Sequence, residues 1–339
     1  MANRIASTTR EGLAKVVDTV LTSNVLAKEV LTRPKKWRGR NHVQPVRVTA
    51  NTNGQSFSGF DTLPTSATDT TQNMTFTPKA FAINVGLPRT EIDLNQADAG
   101  AHVTDLIQFK LEEAALDMAE DIGTIFYGDG TGNSSKDFLG LEAIVDDGTN
   151  AATIGGLTRA TYSTLDATVT AASTLTLNAM STLYNTVSDG SLKPSMIFTT
   201  KTVHALYEQL LQSFNQYLNL PAGASKYTAG ATELAFKGIP VMSDAKCTSG
   251  VMYFLNMDQL YFAMLPSKSF GGLTSEAVNY TINQIDGTPD ESVKGLGFSW
   301  TGWQKSYNQY AANGFIILQG ELVPMDPGRN GKLTGITTV

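Results

Sequence analysis

One loop holds the residues that most resemble a ligand site, because it combines closely spaced glycines with acidic side chains. Its members are Gly128, Asp129, Gly130, Gly132, Asn133 and Asp137. Glycines at such spacing can cradle a dinucleotide phosphate, and spaced carboxylates can bind calcium. Here the glycines follow a predicted helix rather than a strand, and the bidentate glutamate that closes a calcium loop is missing. A turn that ends the preceding helix is the better interpretation.

Nucleophilic and metal chemistry would need groups that this chain does not bring together in sequence. Cys247 is the single cysteine, and His42, His102 and His204 are far apart. A catalytic thiol needs a base beside it, and zinc needs ligands at short spacing. The esterase pattern G-x-S-x-G and the phosphate loop G-x-x-x-x-G-K-[ST] are both absent. We therefore predict no enzymatic activity, no metal and no cofactor, with a buried structural thiol in a reducing compartment.

A basic cluster that encloses a tryptophan is the second candidate for a binding role. Its members are Arg33, Lys35, Lys36, Trp37, Arg38 and Arg40. Cations interleaved with an aromatic ring can bind single-stranded nucleic acid by charge and stacking. One short cluster in a chain of net charge −6 is a poor nucleic-acid domain. An acidic surface of a neighbouring copy is the preferred partner, and a merely solvated basic tail remains the alternative.

The distribution of charge supports an arm that meets an acidic partner. Residues 1–48 carry ten Lys and Arg against three Asp and Glu, so the rest of the chain carries a net −13. Only 17% of all residues are charged, against roughly 25% in ordinary soluble domains. Such a composition suits extensive contact between subunits better than free solution. Neither a signal peptide nor an apolar run long enough for a membrane is present.

A charge-poor gap separates the basic segment from the rest. Between Val48 and Pro78 the only charges are Asp61 and Asp69. Alternating residues on both sides predict a hairpin with limbs at 43–49 and 73–87. About 25 structureless residues inside a compact domain would be unusual. We therefore expect this segment to extend outward and to lie on another copy of the chain.

The remaining periodicities predict a mixed α/β arrangement. An amphipathic pattern with charged outer faces makes 101–127 the clearest helix. Further helices are predicted at 8–31, 175–188 and 201–218. Strands are predicted at 195–200, 239–242, 251–255 and 260–265, and in a β-rich stretch over 278–324.

This order of elements resembles that of the tailed-bacteriophage major capsid protein family, whose fold is shared with bacterial nanocompartment shells. The local resemblance lies in Ile125–Gly130, Phe138–Leu141, Phe236–Val241 and Val251–Asn256. It implies an α+β fold, the phage major capsid fold, with an N-terminal arm, an extended β-hairpin loop, a peripheral domain with a long spine helix, and an α/β axial domain. The implied bounds are 1–42 for the arm, 43–90 for the loop, 91–139 and 270–325 for the peripheral domain, 140–269 for the axial domain, and 326–339 for a C-terminal tail.

The resemblance also implies a function, a location and partners. Many copies would self-assemble into pentamers and hexamers of an icosahedral head around double-stranded DNA, bound without sequence specificity. A portal, together with scaffolding or decoration proteins, would be further partners, and no membrane is involved. The protein would assemble in the host cytoplasm and end in the virion capsid.

Two departures from the family pattern bear on how the shell is held. No lysine lies between Arg47 and Lys79, so we do not expect the isopeptide bond that some members form from this loop. The arm passes quickly from Met1 into its helix, so we do not expect a cleaved scaffolding domain.

The candidate contacts between subunits follow from these arms, and two other functions remain open. The candidates are Arg33, Lys35, Lys36, Trp37, Arg38, Arg40, Phe57, Phe60 and Phe76. One alternative keeps the fold and encloses an enzyme in a nanocompartment, although the long basic arm argues against it. The other is an α/β hydrolase that uses a serine or Cys247, which would form a monomer or a small oligomer.

Overall fold

A computed structural model gives the structure of the chain. It describes residues 24–31, 33–37, 39–66, 68–91, 106–212, 234–265, 298–300, 304–305 and 309–339. The helices are α1 Val25–Leu31, α2 Leu106–Tyr127, α3 Leu141–Ile144, α4 Leu177–Val187 and α5 Lys201–Gln212. None of the helices in these ranges is both long and apolar enough to cross a bilayer.

Strands account for most of the other regular structure. Those of the first half of the chain are β1 Lys35–Lys36, β2 His42–Arg47, β3 Thr71–Phe76, β4 Lys79–Pro88, β5 Thr153–Ile154, β6 Leu157–Thr158, β7 Thr168–Ala171 and β8 Met196–Thr199. Those of the second half are β9 Leu234–Phe236, β10 Ile239–Ser243, β11 Met252–Leu255, β12 Leu260–Met264, β13 Phe298–Trp300, β14 Gln304–Lys305, β15 Ala311–Pro324 and β16 Gly331–Thr334.

The first sheet is organised around the long strand β15. On one side, Ala311–Gly320 pairs antiparallel with β4. The other side pairs in turn with β12, β13 and β14, and β1 adds parallel to β12. The long helix α2 packs on β4. Ala114, Met118 and Ile122 are buried there, which confirms the predicted apolar stripe of that helix.

The second sheet has the order β7-β16-β11-β8-β10-β9. Strands β8 and β10 are parallel, and the crossover between them includes α5. Alternation along β11 directs Met252 and Phe254 towards α4 and α5, whereas Tyr253 and Leu255 join the main core beside α2. The sheet therefore has an apolar layer on both faces.

The last strand corrects the view of residues 326–339 as a tail. Strand β16 lies between β7 and β11, parallel to the first and antiparallel to the second. Its first residue, Gly331, packs closely on α4 and β7, because an added Cβ would lie 2.8 Å from Leu183 Cδ1 and 3.1 Å from Thr168 O. The final residues thus complete the α/β sheet.

Two further expectations are corrected by the backbone. The hairpin consists of β2 and β3 alone, because after Pro78 the chain leaves β2 and β4 pairs with β15. One continuous helix over 8–31 is wrong at Asn24, which is not helical and whose carbonyl accepts the first hydrogen bond of α1, from Lys28 N. Residues 8–23 of that prediction lie outside the described ranges.

Candidate assembly surfaces

The hairpin is anchored at its base by apolar side chains. Val46, Met74 and Phe76 are buried in the main core, and they alternate with exposed neighbours in β2 and β3. Thr75 N donates to Gly155 O at 2.8 Å, which fixes the β5–β6 turn against β3. An added Cβ on Gly155 would lie 2.5 Å from Met74 Cβ, so only glycine allows this approach. The base therefore holds the arm in a defined direction.

Beyond its base the arm is held by side chains rather than by a backbone ladder. Asn53 Nδ2 donates to Ser66 O at 2.8 Å and reaches Thr68 Oγ1 at 3.2 Å. Gln55 Nε2 donates to Thr62 O at 2.8 Å. These amide bridges join the two limbs, and they explain why the gap is rich in Asn, Gln and Thr.

The tip of the arm exposes large apolar side chains to solvent. Phe57 is 65% exposed, Phe60 is fully exposed and Leu63 is 52% exposed. Asp61 fixes the turn between them, since its carboxylate accepts a hydrogen bond from Ser58 N at 2.8 Å. Burying apolar surface is favourable, and a cluster of three large exposed apolar side chains within seven residues is typical of a contact surface. The tip is therefore a candidate site of contact with another molecule.

Phe76 and Trp37 do not fit the prediction that they contact another subunit. Phe76 is 5% exposed and Trp37 is 3% exposed, both within this chain's own core. Trp37 N donates to Met264 O at 2.7 Å, which continues the pairing of β1 with β12. The alternation of β3 sends Phe76 inward, and sequence alone could not tell which face is covered.

The basic cluster is divided between internal and outward groups. Arg33 pairs with Asp258 at 3.0 Å, and the Lys35 ammonium lies 3.8 Å from the Tyr261 ring centroid. Lys36 and Arg40 are exposed, and neither has an anionic partner among the described residues. Arg38 lies outside those residues. The cluster thus keeps two outward cations and is not a solvated tail.

His42 lies beside the cluster and joins β2 to β12. Its Nε2 and the Tyr261 hydroxyl are 2.8 Å apart, and that hydroxyl donates to Gln44 Oε1 at 2.8 Å. Burial, with the nearby Lys35 charge, lowers the pKa of His42. The neutral imidazole therefore serves as a structural link, and no nucleophile lies among these contacts.

The glycine loop, residues 128–140, is the turn that ends α2 and leads into α3, as its sequence context indicates. Gly128 N donates to Ile125 O at 3.0 Å and ends α2. An added Cβ on Gly140 would lie 2.2 Å from Gly128 O, so the chain returns to the helix end only through glycine. Asn133, Ser134 and Ser135 have φ of 51°, 60° and 64°, a left-handed turn of three non-glycine residues. Within the described ranges, no three His, Cys, Asp or Glu side chains converge as metal ligands would.

Lys79 and Glu321 hold this loop in place, although no sequence pattern singles out either residue. Lys79 Nζ donates to the carbonyls of Gly130 and Asp137 and lies 3.6 Å from Glu321 Oε2. Glu321 is 3% exposed, and its Oε1 accepts from Leu139 N at 2.5 Å. Burial raises the pKa of Glu321 to about 7, and the Lys79 charge opposes that rise.

Arg159 is a buried cation that no sequence pattern indicates. The Arg159 guanidinium is 1% exposed and donates to the carbonyls of Asp146 at 2.7 Å and Ala143 at 2.8 Å, and to that of Leu165. The Asp146 carboxylate in turn accepts backbone N–H bonds from Gly148, Asn150 and Ala151 and lies 3.9 Å from Lys332 Nζ. The Asp146 and Arg159 side chains therefore connect residues 143–165 to Lys332 in β16.

Cys247 has the environment of a structural thiol. It is 7% exposed, and its Sγ donates to Val251 O at 3.8 Å. Burial, together with the nearby Asp244 charge, raises the pKa of the thiol far above its ordinary value. A nucleophilic cysteine needs the opposite shift, so the hydrolase alternative finds no support at this residue.

Comparison with solved structures identifies the fold. The capsid asymmetric unit of Cyanophage A-1(L) matches 93% of this chain and 93% of its own, at a TM-score of 0.64 and 17% identity. The holo-SrpI encapsulin complex of Synechococcus elongatus PCC 7942 matches 92% of this chain and 86% of its own chain, at a TM-score of 0.57 and 12% sequence identity. The capsid of a native GTA particle matches 90% of this chain and 88% of its own chain, at a TM-score of 0.57 and 12% sequence identity. Comparisons of the sequence with family models and with curated proteins gave no match.

The chain has the tailed-phage capsid fold, an α+β fold that phage capsid proteins and an encapsulin share. The predicted resemblance is confirmed at the level of fold.

Proposed function

We propose that this chain is the major capsid protein of a tailed phage, a structural subunit without enzymatic activity. The proposal rests on two observations. The similarity in fold covers 93% of this chain and 93% of the cyanophage capsid chain, and the arm has a fixed base and an apolar tip. Many copies form pentamers and hexamers of an icosahedral head, and non-covalent contacts hold them. The arm lies on a neighbour, where Phe57 and Phe60 become buried.

The proposal includes the domain division and the partners. Residues 91–139 and 270–325 form the peripheral domain and 140–269 the axial domain, to which β16 of the former tail contributes a strand. Double-stranded DNA fills the shell without sequence recognition, because an acidic body repels phosphate. A portal, with scaffolding or decoration proteins, completes the head, which forms in the host cytoplasm and remains in the virion.

Expression of the chain tests this proposal directly. Sedimentation and electron microscopy should reveal closed particles of megadalton mass. The double variant Phe57→Ser/Phe60→Ser should remain an unassembled subunit with unchanged thermal unfolding, since neither ring is part of the chain's own core. Leu192→Ser, which removes another exposed apolar side chain, serves as the control and should assemble. A wild-type chain that stays monomeric under all assembly conditions would refute the proposal.

A nanocompartment shell is the second candidate, and the similarity to an encapsulin favours keeping it. The two functions differ in cargo and not in fold. Particles purified from cells that carry the native gene neighbourhood should contain double-stranded DNA if the chain is a phage capsid protein. An enclosed enzyme without DNA would instead establish the alternative.

A further inference from the structure

The outward face of α2 is acidic and carries an exposed leucine. Glu113, Asp117, Glu120 and Asp121 are exposed there, and Leu116 among them is 60% exposed. Two of the carboxylates have partners in the same chain: Glu113 pairs with Lys110 at 2.7 Å, and Glu120 pairs with Lys246. Asp117 has no cation partner in the described part of the chain.

Asp117 and Asp121 stand one helical turn apart and repel each other. The pKa of Asp121 is raised, mainly because the carboxylate loses part of its hydration and also because the charges of Asp117 and Glu120 lie nearby. The Lys246 charge has the opposite effect. Like charges four residues apart on a helix destabilise it. A cationic partner would relieve this repulsion.

A cleft with complementary properties lies beside β2. It has a volume of about 530 Å³ and is lined by Lys35, Lys36, Asn41, His42 and Val43. Val43 is 51% exposed, so the cleft has an apolar element as well as cations. Lys35 is held over Tyr261, whereas Lys36 and the adjacent Arg40 project with no anionic partner among the residues that the structure describes.

We propose that the acidic face of α2 in one copy binds the basic cleft of a second copy, as part of the assembly function proposed above. Asp117 and Asp121 face Lys36 and Arg40, and Leu116 packs on Val43. An apolar contact with a charged rim is the usual composition of a protein interface. Every copy offers both surfaces, so the contact is heterologous and repeats around a ring, which suits a closed shell.

The charges also decide between a protein and a nucleic acid as the partner of the cleft. Two outward cations on a chain of net charge −6 are few for a nucleic-acid site. The acidic face of α2 supplies both the missing anions and an apolar side chain that phosphate lacks. A second copy of this chain therefore fits the cleft better.

Charge reversal on each surface tests the contact. Asp117→Lys/Asp121→Lys and, separately, Lys36→Glu/Arg40→Glu should each raise the protein concentration needed for assembly at least tenfold. The quadruple variant, which restores opposite charges, should assemble again at close to the wild-type concentration. Lys193→Glu/Lys201→Glu, which makes the same charge change at two exposed lysines, should assemble normally. If a reversed variant does not fold, Asp117→Asn/Asp121→Asn and Lys36→Gln/Arg40→Gln replace it, and each should weaken assembly.

The outcomes separate this contact from the function on which it rests. Normal assembly of the one-sided variants, or no recovery in the quadruple variant, would overturn the contact while wild-type particles still supported a capsid. Loss of bound nucleic acid from Lys36→Glu/Arg40→Glu particles, with assembly intact, would assign the cleft to nucleic acid instead. A wild-type chain that never assembles would remove the proposed function itself.

Discussion

Replacing Glu321 by glutamine should remove a pH-dependent part of this chain's stability. The carboxylate is buried between β15 and the glycine loop, where it accepts hydrogen bonds from Leu139 N at 2.5 Å and Leu322 N at 3.2 Å. Lys79 is the cation that faces it, at 3.6 Å. Burial raises the pKa of Glu321 from its ordinary value of 4.5 to about 7, because the partly exposed Lys79 charge compensates only part of the lost hydration.

The sign and size of the effect follow from linkage between protonation and folding. The folded chain binds the Glu321 proton more tightly than the unfolded chain does. The contribution of Glu321 to the free energy of unfolding therefore rises as the pH falls from about 7 towards 4.5. This contribution is lost as the pH rises through 7. The difference between pH 8 and pH 4 is about 3 kcal/mol, and most of it is reached at pH 5.

Urea unfolding of the unassembled subunit at pH 8, 7, 6 and 5 would measure this contribution. The wild-type free energy minus that of Glu321→Gln should increase by roughly 2 kcal/mol from pH 8 to pH 5. Lys79→Met should raise the folded-state pKa of Glu321 further, so the increase should begin at higher pH and be larger. Equal pH dependence of wild type and Glu321→Gln would refute the reasoning.

Three further substitutions test the internal contacts by unfolding measurements. Arg159→Leu should destabilise the chain by about 3–5 kcal/mol because several buried carbonyls lose their donor, and a loss below 1 kcal/mol would contradict that role. Gly140→Ala should cost about 3 kcal/mol, since its Cβ would lie 2.2 Å from a backbone carbonyl, whereas Gly54→Ala, with nothing within 4 Å, should be neutral. Asp244→Ala should cost about 1 kcal/mol and increase hydrogen exchange in α1, because Leu26 N donates to that carboxylate at 3.2 Å. Unchanged exchange would show that this hydrogen bond does not stabilise the start of α1.

Local patterns were sufficient for the elements whose buried face repeats at a regular interval. The stripe through Ala114, Met118 and Ile122 identified α2, because one face of a helix must be covered. The glycine loop was correctly interpreted as a turn, since Gly128 follows a helix. The same patterns misplaced β4, because alternation indicates a strand and does not specify its partner. Only the tertiary structure pairs β4 with β15 rather than with β2.

Contacts between distant residues account for what the sequence did not indicate. Lys79 and Glu321, whose side chains lie 3.6 Å apart, are more than two hundred residues apart in the sequence. Trp37 and Phe76 belong to segments predicted to reach outward, yet the core of this same chain covers them.

The sequence by itself determined the α+β fold, the long helix, the outward arm and the absence of recognisable catalytic motifs, because these depend on local periodicity, charge and residue type. The tertiary structure alone decided which aromatic side chains remain at the surface, which charges are buried, and that the last strand completes the second sheet. Those outcomes depend on which segments exclude water from one another, and that is a property of the folded chain as a whole.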